Sequence, residues 1–186
     1  WRGQSIGPSF ESYFYGGKYW ALPLDAAAQV AVARTELLDS APPSNWAQVL
    51  TLASRRPVCV SLAGPHALLT LFSISASLGE VPTARGAESL LDVESSARAW
   101  DILAELYAKS FKGWIERNPI GILDGMSKTD EVAYCPLVFG YVNYAAPSDP
   151  SRHALKFVDV PAGPEGRLGS TLGGTGIGIS RKAQVD

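Results

Sequence analysis

The densest run of small residues in the chain is Gly173-Gly-Thr-Gly-Ile-Gly178. Backbone amides in glycine-rich loops can bind phosphate, but this run lacks the Lys-Ser/Thr that ends a P-loop and the G-x-G-x-x-G spacing of a dinucleotide site. Ile177 and Ile179 alternate with small residues, which predicts a strand with one bare face. That face either packs tightly against a helix or presents its backbone to a ligand, and the sequence leaves both alternatives open.

The sequence assembles no other catalytic template. The patterns G-x-S-x-G and H-E-x-x-H are absent, and the two histidines, His66 and His153, are far apart. Asp124, Asp130 and Glu131 stand in polar surroundings, which favours solvated carboxylates over a general acid/base pair. We therefore predict no catalytic residues and no enzyme activity.

Two cysteines, Cys59 and Cys135, lie in apolar runs typical of strands. Inert buried thiols are favoured over a reactive pair in such surroundings. Two cysteines and two histidines scattered over separate elements are a poor set of zinc ligands. We predict no metal site and no cofactor.

Composition and charge exclude several classes of protein. The 186 residues carry a formal charge of −2, and 46% of them are hydrophobic while 18% are charged. A chain of this kind can bury a sizeable core, which excludes intrinsic disorder. The near-neutral charge gives no electrostatic footprint for nucleic acid and no polybasic membrane anchor. The first residue is Trp1, which favours a mature protein or a piece of a longer chain.

The elements that must position these residues alternate between strands and helices. This alternation predicts an α/β fold with a mixed sheet and helices on both faces. Strands are expected at 18–25, 29–33, 58–62, 131–135 and 155–160, helices at 46–54, from Pro65, at 95–111 and at 119–126, a short helix or turn at 138–145, and a loop from Gly79 to Gly86.

The helix that begins near Pro65 lies in a stretch without charged residues, from Pro57 to Gly79. Pro65 is expected at the first helical position, and internal polar residues argue against a membrane span. One stripe is polar and the opposite face is largely apolar, which predicts an amphipathic helix of a soluble protein. The polar stripe contains His66, Thr70, Ser73 and Ser77, and the apolar face contains Leu68, Leu71, Phe72, Ser75 and Leu78.

Two further helices have specific patterns. Asn45, with Gln48 three residues later, predicts a capping box for the helix at 46–54. In the helix at 95–111, a stripe of small and aromatic residues is expected to face inward, formed by Ala97, Trp100, Ala104, Tyr107 and Phe111.

Three segments together resemble a known family. KYWALPLDAAAQVAVAR followed by PPSNWAQVLTLA, the long helix at 95–111, and PLVFGYVNYA with LKFVDVPAGPEG and STLGGTGIGISRKA follow one another in a characteristic order. This order resembles the second lobe of extracellular solute-binding proteins of sugar ABC transporters, which have the type II periplasmic-binding-protein fold. The resemblance covers the chain from about Ser12 onward.

The resemblance implies that the chain is one α/β lobe of a two-lobed receptor. It implies that residues 1–24 cross the hinge and include a remnant of the other lobe, that residues 25–180 form the ligand-binding lobe, and that residues 181–186 begin the return. The aromatic residues of the opening segment would then lack their packing partners and be exposed.

The resemblance also implies a set of ligand-binding residues. Asp25 corresponds to a position where the family often places a carboxylate on sugar hydroxyls, although a turn cap is an equal alternative. A helix mouth at Gly64, Pro65 and His66 would offer free amide groups to oxygen atoms, although for His66 itself a surface or internally satisfied histidine is favoured. Phe139 or Tyr141 would supply the aromatic platform, the other packing in the core with Tyr144. Backbone and hydroxyl contacts would come from Gly173, Gly174 and Thr175.

The implied function is capture of a carbohydrate or polyol by hinge closure, with an ABC permease as the membrane partner and no nucleic acid. The implied location is periplasmic or extracellular, with a lipid anchor as a further possibility for the full-length protein. The alternative from another class is a small α/β hydrolase or transferase that uses the glycine-rich strand, and a purely structural interaction domain is a third.

Overall fold

The computed structural model describes residues 2–81 and 90–184. The chain divides into two compact units. The terminal unit combines the described residues up to Ala28 with those from Leu172 onward, and the central unit is built from Gln29–Thr171. The expected divisions after residues 24 and 180 stay a prediction.

The described residues form four α-helices and eight short strands. The strands are β1 (Phe14–Tyr15), β2 (Lys18–Tyr19), β3 (Leu22–Pro23), β4 (Ala27–Ala33), β5 (Tyr134–Phe139), β6 (Lys156–Val158), β7 (Leu172–Gly173) and β8 (Gly176–Ile177). The helices are α1 (Trp46–Ala53), α2 (His66–Ser77), α3 (Val93–Lys109) and α4 (Pro119–Lys128), and single 3₁₀ turns occur at Arg2–Gln4, Glu11–Tyr13, Thr35–Leu37, Lys112–Trp114, Val142–Tyr144 and Pro164–Gly166.

The central sheet is antiparallel, with β4 between β5 and β6. A bulge shifts the β4–β5 register between Val30 and Val32, which leaves one extra residue in β5 around Pro136. Proline has no backbone N–H to give to a ladder, so a bulge is a position that tolerates it. Parallel bridges, such as the one between Val58 and Tyr134, make the pairing mixed, as expected.

Helices cover both faces of this sheet, which confirms the predicted architecture. Ala31 and Ala33 point into a core that includes residues of α1, α2 and α3. Val32 points the other way, into a second core that includes residues of α4. The alternation of small and branched residues in QVAVA therefore serves two cores, as the period of two in a strand requires.

Helix α2 begins at His66, one residue after the predicted start at Pro65, and most of its predicted polar stripe is buried. Thr70, Ser73 and Ser77 are fully buried, whereas on the predicted apolar face Leu68 is 50% exposed while Leu71 and Leu78 pack against the core. Two loop glycines explain the burial of the serines. A Cβ at Gly163 would lie 2.0 Å from the Ser77 carbonyl oxygen, and a Cβ at Gly169 would lie 2.1 Å from the Ser77 nitrogen. Small polar residues allow this close approach, which larger apolar side chains would prevent.

The inward stripe predicted for α3 is wrong. Ala99, Leu103 and Leu106 are buried, whereas Trp100 and Tyr107 are exposed by 60% and 46%. The prediction followed the aromatic residues, but the aliphatic residues at intervals of three and four are the ones that pack against α1 and α2. Ala97 and Ala104 are also exposed, and Phe111 is half-buried.

The cap of helix α1 was better predicted. Asn45 caps α1 by accepting the Gln48 amide at 3.0 Å, while the Gln48 side chain accepts the Ser44 amide at 2.8 Å. This is the predicted reciprocal arrangement, displaced by one residue on the return bond. Asn118, which was not predicted as a cap, caps α4 by accepting the Gly121 amide at 2.9 Å.

Several strand predictions need correction. Residues 58–61 are buried and Leu62 is half-buried, but this segment makes a single bridge at Val58 and no strand. The predicted strand at 131–135 begins later, at Tyr134, and continues to Phe139, so Phe139 is a strand residue rather than part of a helix or turn. The strand predicted at 18–25 divides into β2 and β3, and the loop at Gly79–Gly86 lies outside the described residues from residue 82 onward.

The terminal unit consists of small antiparallel pairs. Strands β1 and β2 form a hairpin closed by Gly16 and Gly17, both with positive φ, which suits a two-residue turn. Tyr15 and Trp20 are exposed, by 80% and 66%, as expected for aromatic residues of the opening segment. Phe10, Tyr13 and Phe14 are half-buried instead, and Phe10 and Phe14 pack against Tyr19 within the same unit. Among the described residues, no helix is long and apolar enough to cross a membrane.

Candidate ligand site

Asp25 lies in the terminal unit, at a corner where one strand pair gives way to another. Strand β3 pairs with β8 on one side of the corner, and the start of β4 pairs with β7 on the other. The Thr175 carbonyl accepts the Leu24 amide at 2.8 Å, and one Asp25 carboxylate oxygen accepts the Thr175 amide. The geometry at Asp25 is therefore that of the turn cap, one of its two predicted readings.

Gly174 lies at the same corner, in a conformation and at a distance from Asp25 that only glycine allows. Its φ is +126°, and a Cβ would lie 2.6 Å from the Asp25 carbonyl oxygen. The nearby Gly176 faces the ring of Tyr13, where a Cβ would lie 2.5 Å from a ring carbon. The bare face of the glycine-rich segment thus packs against the chain's own residues, and its strands are only two residues long.

A cavity of about 320 Å³ adjoins this corner within the terminal unit. Asp25 lines it together with polar and apolar residues from the opening segment, so the carboxylate is accessible to a small molecule. The remaining lining residues are Gln4, Ser5, Ile6, Ser9, Pro23, Leu24 and Ala26.

In the central unit, Gly64 and Pro65 lead into helix α2. Gly64 has φ +53°, a left-handed conformation that favours glycine, and Pro65 occupies the N-cap position rather than the predicted first helical position. Pro65 gives no side-chain cap, and the His66 amide donates to the Ala63 carbonyl at 3.1 Å. Among the described residues, no partner is found for the amides of Ala67 and Leu68, so the helix mouth retains free donors.

His66 and Phe139 lie together at this helix mouth. Their ring centroids are 6.1 Å apart and the ring planes meet at 60°. The Nδ1 atom of His66 is buried and has no hydrogen-bond partner among the described residues. Burial lowers the pKa of His66, so the imidazole is neutral at pH 7.

This contact decides which ring of the aromatic segment belongs with the helix mouth. Phe139 is half-buried beside His66, whereas Tyr141 follows the end of β5 and is 43% exposed. Tyr144 is buried in the second core, as expected. Tyr141 is therefore not the core residue that the alternative required, and the structure does not bring it to His66.

The predicted site residues thus form two groups. Asp25, Gly173, Gly174 and Thr175 belong to the terminal unit, and Gly64, Pro65, His66, Phe139 and Tyr141 belong to the central unit. The residues of the first group meet at the Asp25 corner, and those of the second group, except Tyr141, lie at the mouth of helix α2. A larger cavity of about 560 Å³ in the central unit, between residues 38–44 and α1, is lined by none of them.

Sequence reasoning missed a buried polar network beside α2. The Gln29 side-chain oxygen accepts the hydroxyls of Ser73 at 2.5 Å and Thr171 at 3.1 Å. The Gln29 carbonyl accepts the Ser170 hydroxyl at 2.8 Å. The single polar residue in the apolar strand QVAVA was the available signal, because a buried amide side chain needs hydrogen-bonding partners.

Arg34 is a second buried polar residue that the sequence did not single out. Its guanidinium is 1% exposed and donates to Asp130 at 2.8 Å and to the carbonyls of Met126 and Thr129 at 2.7 Å. The carbonyls belong to the end of α4, so Arg34 caps that helix and compensates its dipole. Its role is structural.

The acidic and thiol groups also have structural surroundings. Asp124 accepts from Lys128 and from Arg152, each at 2.6 Å, and these hydrogen bonds lower its pKa. It is a paired carboxylate rather than a solvated one. Cys59 and Cys135 are both fully buried, and burial followed by the contact with Cys135 raises the pKa of Cys59.

Comparison with solved structures finds many similar folds. A maltose-bound MalE3 of T. maritima matches with TM-score 0.78 and 17% identity over 97% of this chain and 50% of that one. A ribitol complex of an ABC transporter solute-binding protein from Agrobacterium radiobacter K84 matches with TM-score 0.74 and 18% identity, over 95% and 48% of the two chains. UgpB of Mycobacterium tuberculosis, with glycerophosphocholine, matches with TM-score 0.73 and 12% identity, over 98% and 50%.

The chain has the fold of these solute-binding proteins. It spans about half the length of each, which agrees with the expected single lobe of a periplasmic-binding-protein fold. No protein-family description and no curated protein sequence matches it. The similar structures give no support to the alternative of a small hydrolase or transferase.

Proposed function

We propose that this chain is one lobe of an ABC-importer receptor that binds a carbohydrate or polyol. Two observations support the proposal: the solute-binding-protein fold, and a helix mouth where a neutral histidine with an unpartnered nitrogen lies against an aromatic ring. The second observation carries it, because a buried polar atom without a partner is costly unless a ligand satisfies it.

The chemistry at the helix mouth suits a neutral ligand rich in hydroxyl groups. A sugar ring has apolar C–H faces, which the Phe139 ring can cover. Its hydroxyls can accept from the free amides of Ala67 and Leu68 and exchange a hydrogen bond with His66 Nδ1. In the terminal unit taken by itself, the Asp25 carboxylate oxygen that does not cap Thr175 is a charged acceptor for a hydroxyl group.

Capture would follow from closure of two lobes about a hinge. Residues 1–24 would cross the hinge, residues 25–180 would form the binding lobe, and residues 181–186 would begin the return. A ligand that contacts both lobes binds the closed state better than the open state and shifts the equilibrium by that difference. The receptor would work outside the cytoplasmic membrane, either free or held there by a lipid anchor. In its closed form it would deliver the ligand to an ABC permease in the membrane, and no catalysis would be involved.

Titration calorimetry tests the ligand class. The protein, in the longest form that contains this chain, is titrated with neutral sugars, with polyols and with a glycerophosphodiester. Heat of binding with a sugar or polyol is expected. Binding of the phosphodiester alone would contradict the ligand class, and turnover of an ester or phosphoester would contradict the receptor role.

Substitution of Phe139 tests the location of the site. Phe139→Ala is expected to weaken sugar binding by about tenfold, because the ring loses both its apolar contact and its support of His66. Phe111→Ala is the matched control, since Phe111 is a half-buried aromatic residue of the same unit that packs against Trp114 and lines a different cavity. Equal affinities of Phe139→Ala and the unmodified protein would place the ligand elsewhere.

A further inference from the structure

The chain contains only two cysteines, 76 positions apart in sequence, and the fold places them side by side. Val58 and Tyr134 form a parallel bridge, in which the Tyr134 carbonyl accepts the Cys59 amide at 3.0 Å. Cys59 and Cys135 are the next residues along these two segments, so they are neighbours across the bridge. Both side chains belong to the same core cluster, behind Val32 and Met126.

Residues that face each other across neighbouring extended segments can meet the Cα distance requirement of a disulfide. Neighbouring extended segments lie about 4.8 Å apart, within the range of roughly 4.4–6.8 Å between Cα atoms that a disulfide spans. Both thiols are free in this structure, and the Cys135 thiol donates a hydrogen bond to the Leu137 carbonyl at 3.6 Å. We infer that Cys59 and Cys135 form an intramolecular disulfide that links the 58–62 segment to β5.

Burial determines when the bond forms. Both residues are 0% exposed, so an oxidant cannot reach either sulfur in the folded state. The reaction therefore takes place during folding, before the second core closes. The 58–62 segment gains most from the link, because it has one bridge to β5 where a full strand would have several.

The oxidant is a small-molecule or protein disulfide, such as oxidised glutathione. One cysteine thiolate attacks a glutathione sulfur, which forms a mixed disulfide and releases one glutathione. The second cysteine thiolate then attacks the protein sulfur of the mixed disulfide and releases the second glutathione. The protein loses two hydrogen atoms and two electrons reduce the oxidant to two thiols, so the step is balanced.

The test is refolding of the unmodified chain from denaturant in a buffer of oxidised and reduced glutathione. After an acid quench, the protein is treated with a maleimide in denaturant and weighed by mass spectrometry. The expected product is monomeric, two hydrogen atoms lighter than the dithiol, and free of maleimide until a reductant is added. Two maleimide adducts without reductant, or glutathione adducts that do not resolve, would overturn the inference.

Two comparisons complete the test without depending on any variant. Oxidised protein is expected to melt about 5–10 °C above the reduced protein, because the bond closes a long loop. Folded reduced protein, mixed with oxidised glutathione without denaturant, is expected to react at least about tenfold more slowly than refolding protein. An equal or lower melting temperature, or an equal rate, would overturn the inference. Cys59→Ala and Cys135→Ala each leave one thiol and calibrate the maleimide count.

Discussion

Helix α2 carries polar side chains in two regions that the structure treats differently. Along its buried side, Ser73 and Ser77 are fully buried and hydrogen-bonded, to the Gln29 side chain and to the Ile74 carbonyl and Trp46 indole. At its beginning, His66 is half-buried and its Nδ1 has no partner among the described residues.

The difference separates structural polarity from polarity available to a ligand. Both regions lie on one stripe of the helical pattern, so sequence periodicity assigns them the same role. Hydrogen-bond satisfaction divides this stripe: the hydroxyls of Thr70, Ser73 and Ser77 are paired without a ligand, and His66 Nδ1 is not. Ser75 Oγ, which is buried on another side of the helix, also has no partner among the described residues. The same criterion applies to Asp25, whose carboxylate already caps the Thr175 amide.

The largest effect on stability is expected where a loop glycine packs against the buried side of α2. Gly169→Ala places a Cβ 2.1 Å from the Ser77 nitrogen, against backbone that cannot move without disturbing α2. The free energy of unfolding is expected to fall by about 2–4 kcal/mol, measured by urea denaturation. Gly3→Ala is the matched control, because a Cβ there meets nothing within 4 Å. Equal stability of the two variants would contradict the close approach.

A smaller loss is expected when the buried side keeps its shape but loses a hydrogen bond. Ser73→Ala removes the hydroxyl that donates to Gln29 and accepts the Thr171 amide at 2.9 Å. The partly buried amide of Thr171 and the buried side chain of Gln29 then lose a hydrogen-bond partner, and the free energy of unfolding is expected to fall by about 1–3 kcal/mol. Ser54→Ala, at an exposed hydroxyl, is expected to change stability by less than about 0.5 kcal/mol. If Ser73→Ala proved as stable as the unmodified chain, this network would have no net structural role.

The sequence predicted which segments are helices better than which sides of them are buried. The caps at Asn45 and Asn118 are local, so α1 and α4 begin at the predicted residues. The burial of Ser73 depends on a distant partner, Gly169, which the pattern of α2 does not contain. The exposure of Trp100 has a different cause, because the aliphatic stripe that packs inward lies in the same helix and the prediction followed the aromatic residues instead.

The candidate site divides in the same way. The glycine at position 64 and the start of α2 follow from local conformation, and the sequence predicted both. The choice of Phe139 over Tyr141 required the course of β5, which continues four residues beyond its predicted end. The meeting of Cys59 with Cys135 likewise depends on a long-range parallel bridge that no local pattern encodes.

At the helix mouth the comparison predicts almost no loss of stability. His66→Phe keeps a ring against Phe139 and removes the unpartnered nitrogen, so the free energy of unfolding without ligand is expected to stay the same or to rise, by up to about 1–3 kcal/mol. Sugar binding by the same variant is expected to weaken by about tenfold or more, as measured by calorimetry. A large loss of stability with unchanged binding would assign His66 to the structural class, together with Ser73.

The smallest expected effect is a dependence of stability on pH. It distinguishes the helix mouth from the buried side of α2, because His66 titrates and the buried hydroxyls do not. Burial lowers the pKa of His66 in the folded state below its ordinary value of 6.5. The unfolded chain therefore binds a proton first as the pH falls, so the free energy of unfolding decreases from about pH 6.5 down through the folded pKa. His66→Phe lacks this contribution, and its stability relative to the unmodified chain should rise between pH 7 and pH 5, in urea denaturation at each pH. His153→Asn is the control for the other histidine and should retain the decrease. A constant difference between His66→Phe and the unmodified chain over this range would mean that the imidazole is solvated, and His66 would then have no unmet hydrogen bond for a ligand to satisfy.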